Sequence, residues 1–173
     1  LSLLGTRLDE DPTDTEALYL ASVCARLTRS FDSALEYISS LLAQEPGNGR
    51  ALQERAHLYR DTGQPEAAIE AYAQALNANP ALIASYQQQL KLLRDTGRDR
   101  EAAQTAAQLQ QAEALPSPLL AATDLIAQGR IFKAEQLIRQ FLQRSPHHPE
   151  AMRLLADVGV RLGALEEANF LLE

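Results

Sequence analysis

Residues 49–82 read GRALQERAHLYRDTGQPEAAIEAYAQALNANPAL, and their spacing decides the fold. Leu52, Ala56 and Tyr59 are four and three residues apart, so they share one face of a first helix, helix A. Gly63 tolerates the left-handed backbone that closes a helix. Pro65 opens a second helix, helix B, in a first turn where its missing N–H costs nothing. Helix B carries Ala68, Ile69, Tyr72, Ala75 and Leu76 on one face, and Pro80 stops it. Ala56 and Ala68 sit where two helix backbones must come close, and a larger side chain there would push the pair apart. Ala75 serves the same end against the next helix A.

The pattern extends in both directions. Ala34, Ala68, Ala102, Ala134 and Ala168 recur at spacings of 34, 34, 32 and 34. Gly63, Gly97, Gly129 and Gly163 each precede one of these alanines by five residues. Pro12, Pro46 and Pro80 keep the same period, which Pro146 resumes. Such a period marks a solenoid of helix pairs, in which each unit buries its apolar face against its neighbours. The repeat predicts one domain over residues 1–173: the tail of a preceding unit (1–14), full units at 15–48, 49–82, 83–114 and 115–148, and a truncated unit at 149–173. The tail carries Leu1, Leu4 and Leu8 on one stripe. Neither end has a polar cap, so the chain reads as a piece of a longer protein, with uncapped ends that favour end-to-end homo-oligomers.

Three places depart from the pattern. Arg29 stands at a glycine position and Leu41 at a small-residue position. Ala106 and Leu109 invert the usual large-then-small order. The 32-residue step falls across Leu115-Pro116-Ser117-Pro118, with Ser117 expected as N-cap and Pro118 as the first helical residue. This shortens helix A of the fourth unit and predicts a changed superhelical angle.

Composition narrows the function classes. The 173 residues carry a net charge of −7, which argues against nucleic acid as the main partner. No run of eighteen apolar residues offers a membrane span, and no basic-then-apolar leader opens the chain. The single cysteine, Cys24, has no internal disulfide partner, which fits a reducing compartment without requiring one; the expected location is cytoplasmic, with the periplasm as the alternative. Phosphate-binding glycine loops, C-x-x-C and H-E-x-x-H are all missing, so no catalytic, cofactor or metal site is expected. His147-His148, Asp9-Glu10-Asp11 and Glu166-Glu167 read as solvated surface, and Cys24 as buried and inert.

Leu52, Ala56, Tyr59, Gly63, Ala68, Tyr72, Ala75 and Pro80 together resemble the tetratricopeptide repeat family, and the resemblance runs over nearly the whole chain. It implies an all-α, right-handed superhelix of about five stacked antiparallel helix pairs, with helix A of each unit lining a concave groove. In that register the lining includes Glu16, Tyr19, Leu20 and Arg26 in the first unit, and Arg50, Gln53, His57 and Arg60 in the second. Gln87, Lys91 and Arg94 follow in the third, and Leu119, Leu120, Thr123 and Ala127 in the fourth. Arg26, Arg60 and Arg94 are 34 apart and should stack as a ladder. With His57 and Lys91 one turn away, the ladder suits a carboxylate or other anion. Alternatively, Arg–Asp pairing between repeats, through Asp61 and Asp95, or the helix dipole explains the same arginines. Helix A of the fourth unit is apolar on nearly all sides. It either offers a pocket for a peptide side chain or is hidden by a tighter superhelix. The groove positions Tyr19, Val23, Glu54, Ala84 and Gln88 lack the Lys, Asn and Arg set with which one subgroup holds acidic chaperone tails, so that ligand is not expected.

The resemblance implies a non-catalytic scaffold that holds a peptide or partner protein in its groove. The alternatives are the arm of a larger enzyme, since bacterial proteins joining such repeats to a sulfotransferase have a similar texture, or a self-assembly module.

Overall fold

The computed structural model describes residues 2–163, and among them ten helices and no strand. They are α1 (Ser2–Glu10), α2 (Thr15–Leu27), α3 (Phe31–Gln44), α4 (Gly49–Asp61), α5 (Pro65–Ala78), α6 (Ile83–Asp95), α7 (Asp99–Glu113), α8 (Ser117–Ala127), α9 (Ile131–Arg144) and α10 (Pro149–Arg161). The all-helical solenoid expected from the period is what the chain forms. Leu1, Ala168 and Glu166-Glu167 lie outside the described residues.

Local chemistry sets the helix ends. The side chains of Asp14 and Asn48 accept the backbone N–H of Ala17 and Ala51 at 2.9 and 3.0 Å and so cap α2 and α4. Gly63, Gly97, Gly129 and Gly163 close their helices at φ of 71–77°. Arg29 takes the same left-handed conformation at φ 61° without glycine's freedom. His148 does more than face solvent. It is half-buried, its Nδ1 accepts the Ala151 N–H at 3.4 Å to cap α10, and its ring meets Phe141 edge-on at 5.1 Å. Cys24 is half-buried, not fully buried.

Packing follows the alanines. Ala34, Ala56, Ala68, Ala75 and Ala134 are fully buried in their hairpins. Leu41 fills its small-residue position by joining Leu18, Ile38 and Leu52 in one core cluster. Hairpins α2–α3, α4–α5 and α6–α7 stack in order, α8 and α9 pair as a further hairpin, and α3, α5 and α9 each pack on the helix that follows.

The step from α7 to α8 differs. These consecutive helices barely touch, and no core cluster spans them. Ser117 is the first helical residue and makes no capping bond, contrary to the N-cap expected of it. Pro116, at φ −54° and ψ 137°, holds the chain extended, and its carbonyl instead accepts the N–H of Leu119 and Leu120 at 2.8 and 3.1 Å. From there α8 turns toward the inner face of the earlier helices.

Two backbone positions give opposite expectations. Arg29 is exposed, so Arg29→Gly removes left-handed strain of about 1–2 kcal/mol and loses no burial. Glycine's added unfolded-state freedom offsets about 0.5–1 kcal/mol. A net gain of about 0.5–1 kcal/mol should appear as a higher midpoint in thermal unfolding. At Gly49, an added Cβ would lie 2.7 Å from Asn79 Cβ. Overpacking of about 1–3 kcal/mol outweighs a helix-propensity gain of at most about 1 kcal/mol, so Gly49→Ala should lower the same midpoint.

Candidate binding groove

The three arginines of one register form a graded series. Arg26, near the end of α2, donates from Nε and Nη2 to the two carboxylate oxygens of Glu54 at 2.6 and 3.3 Å, and from Nη1 to Asp61 at 2.9 Å. Its side chain is 13% exposed and that of Glu54 4%. Arg60 donates from Nη1 to Gln88 at 3.0 Å and from Nε and Nη2 to Asp61 at 2.9 and 2.7 Å. Arg26 to Glu54 and Arg60 to Gln88 are the same step of 28 residues, so each rung reaches an equivalent place on the next inner helix. The third rung, Arg94, is exposed, and its side chain has no hydrogen-bond or ion-pair partner among the described residues. Its counterpart one unit on is apolar Leu120, and α8 has turned away.

These contacts organise the local charge. Burial pushes the Asp61 carboxyl upward, but hydrogen bonds and charge from Arg60 and Arg26 hold its pKa below the usual carboxylate range. Burial, reinforced by the positive charges of Arg60 and Arg26, pushes His57 down to about 4. His57 is therefore neutral at pH 7, and its Nδ1 shares a 2.6 Å hydrogen bond with the hydroxyl of Tyr72. Burial raises Tyr72 to about 12, so that hydroxyl keeps its proton.

The remaining expected groove residues separate into three groups. Gln53 is tied to the neighbouring inner helix, donating to Ser85 Oγ at 2.7 Å. Gln87 and Lys91 are exposed on α6 beside Arg94. Leu119 is fully buried in the core that α8, α9 and α10 share, and Thr123 Oγ1 bonds back to the Leu119 carbonyl at 3.0 Å. Leu119 thus presents nothing to a groove, because the apolar face of α8 is consumed by its own hairpin.

A cavity of about 760 Å³ opens at the other end of the inner face. Thr15, Glu16, Tyr19 and Leu20 of α2 form one wall, the Glu45–Arg50 turn and Asn79 another, and Ala127 with Gln128 the third. Leu20 is 40% exposed there. Asp124 of α8 closes this side. It accepts from Arg50 Nη2 at 3.0 Å, from Asn79 Nδ2 at 2.7 Å and from Gln128 Nε2 at 2.7 Å. Register reading includes Glu16, Tyr19, Leu20, Arg50 and Ala127 but misses Asn79 and Asp124, whose meeting spans 45 residues of chain. The described residues hold no cluster of three metal-ligating side chains, and no helix among them is long and apolar enough to cross a membrane.

Two family profiles, each described as tetratricopeptide repeat, match residues 119–169 and 25–93, together well over half of the chain. No curated protein matches it. Among solved structures, a tetratricopeptide repeat protein from Parabacteroides merdae is 20% identical over 97% of this chain and 68% of its own, with a TM-score of 0.58. A human IFIT1 dimer with m7Gppp-AAAA is 16% identical over 97% of this chain and 48% of its own, at 0.58. YrrB, a TPR protein with an unusual peptide-binding site, is 15% identical over 98% of this chain and 88% of its own, at 0.56. At these identities the likeness is one of fold.

The graded series separates two arginine substitutions. Arg26→Ala strands the buried Glu54 carboxylate and should cost about 3 kcal/mol in urea unfolding, whereas Arg94→Ala should stay within about 0.5 kcal/mol. His57 adds a pH dependence. Its folded pKa is about 4 against an ordinary 6.5, so the unfolded chain binds a proton that the fold refuses. Stability from this group is whole above pH 6.5 and is lost as pH falls toward 4, by about 2 kcal/mol after allowing for solvent screening. His57→Gln should flatten the decline in stability measured between pH 7 and 4.5.

Proposed function

Since this chain belongs to the tetratricopeptide repeat family, we propose that it is a protein-interaction scaffold whose inner face holds an extended segment of a partner protein. The observation that carries this reading is the cavity of about 760 Å³ between α2, the Glu45–Arg50 turn and α8. That volume lies within the range of pockets that take a drug-sized ligand, which is room for a partner side chain and its flanking main chain. Tyr19 and Leu20 give it an apolar wall, and Thr15, Glu16 and Asn48 give it a polar rim. A partner side chain anchored there would leave its main chain free to run along the inner helices.

The graded arginines assign separate roles along the face. Arg26 and Arg60 are already satisfied by Glu54, Asp61 and Gln88, so they brace adjacent inner helices. Arg94, with Lys91 and Gln87 beside it on α6, keeps its donors available to a carboxylate of the partner. Gln87 supplies the amide donor and acceptor that an extended main chain requires.

The test is a displayed library of short peptides, screened against the wild type, Leu20→Asp and Arg94→Glu, each matched for helicity by circular dichroism. Both positions are exposed, so neither change disturbs the core. Peptides selected by the wild type should lose at least about tenfold in affinity with Leu20→Asp, the loss of about 1.4 kcal/mol of anchor burial. Those with an acidic residue should also weaken with Arg94→Glu. Equal retention by all three proteins would remove the groove as the binding surface.

A further inference from the structure

We propose that α8–α10 form a lid over the groove, swinging on the Ala114–Pro116 link and held shut by Asp124. The inference rests on the inner face being the binding surface, and it adds how access to that surface is controlled.

Four observations carry it. The first is the missing seam. At every other described step an outer helix packs on the inner helix that follows, as α3 does on α4, α5 on α6 and α9 on α10, but α7 and α8 barely touch. The sequence of α7 explains this. Ala103, Gln104, Ala107, Gln108, Gln110 and Gln111 are all exposed, so α7 offers only alanines and glutamines where the next hairpin would need an apolar seat. The second is self-sufficiency. Among the described residues, Leu119, Ala122, Ile126, Ile138, Leu154 and Val158 form a core within α8, α9 and α10, so that body can move without exposing this interior.

The third is the character of the contact that holds it. Asp124 reaches Arg50, 74 residues earlier, and Asn79, 45 residues earlier. This is a polar contact at the rim of a cavity, and interfaces of that kind permit relative motion. Asn79 is only 2% exposed, so its amide is committed to this partner while the lid is shut and meets water when it opens. The fourth is position. Ala127 and Gln128 close the cavity wall from α8 and the link that follows it, and every other lining residue comes from the first body. Swinging α8 away would turn a walled cavity into an open groove.

The test needs no ligand. In a Cys24→Ser background, Glu45→Cys and Ala127→Cys place spin labels on opposite walls of the cavity without touching the Asp124 contacts, and pulsed electron resonance reads the distances between them. The latched protein should show one narrow distribution. Asp124→Ala should raise a longer-distance population roughly tenfold, the loss expected for a charge-assisted hydrogen-bond set. Arg50→Ala, which changes an exposed side chain on the first body, should act in the same direction, as should 1 M salt through screening. An unchanged distribution in both variants would overturn the lid. A second arm leaves the two cysteines unlabelled and joins their free thiols with a short bismaleimide. Peptides that bind the unlinked protein should lose access to the linked form, and full binding by the linked form would overturn gating. If no peptide binds either form, the groove reading fails while the distance measurement still decides the lid.

Discussion

Close approach of helix backbones is the constraint on which the structure depends. Ala34, Ala68 and Ala134 occupy the crossing points of three outer helices, α3, α5 and α9, with no exposed surface, and Ala56 meets Ala68 from the paired inner helix. A methyl group is the largest side chain such a crossing admits, so every hairpin inherits nearly the same geometry. Uniform hairpins stack with a constant offset. A constant offset is what brings arginines 34 residues apart into one line and lets Arg26 and Arg60 each reach an equivalent residue on the following inner helix.

The same regularity explains why one interruption matters. Where α7 lacks an apolar seat, α8 leaves the stack and finds Arg50 and Asn79 instead. The series of rungs ends there, leaving Arg94 without a counterpart. One shift in hairpin position therefore both frees a cation and builds a walled cavity.

Much of this was legible in the chain. The alanine and glycine spacing named the helices and their turns, and the two-residue deletion at Leu115–Pro118 marked where the superhelix changes. The arginine ladder was visible as a period, but whether its members were free or paired was not. Pairing depends on residues 28 and 35 positions away whose distance is set by the stacking offset. Asp124 is the one charged residue of α8, and nothing local ties it to Asn79. Ser117 misled because Pro116 supplies a fixed extended conformation and a carbonyl that opens the helix without a side-chain cap. His148 misled in the other sense, since a capping imidazole in a proline turn has no sequence signature apart from the helix it precedes.

The bare seam between α7 and α8 has a thermodynamic meaning as well. A solenoid's cooperativity is carried by nearest-neighbour coupling, each interface transmitting the folded state of one unit to the next. With that coupling nearly absent at a single joint, α1–α7 and α8–α10 behave as two short Ising chains linked by one polar contact. Melting of one segment then leaves the other's equilibrium almost untouched, and a substitution in α9 is energetically silent in α3. Hydrogen exchange at the two segments follows two opening free energies in place of one.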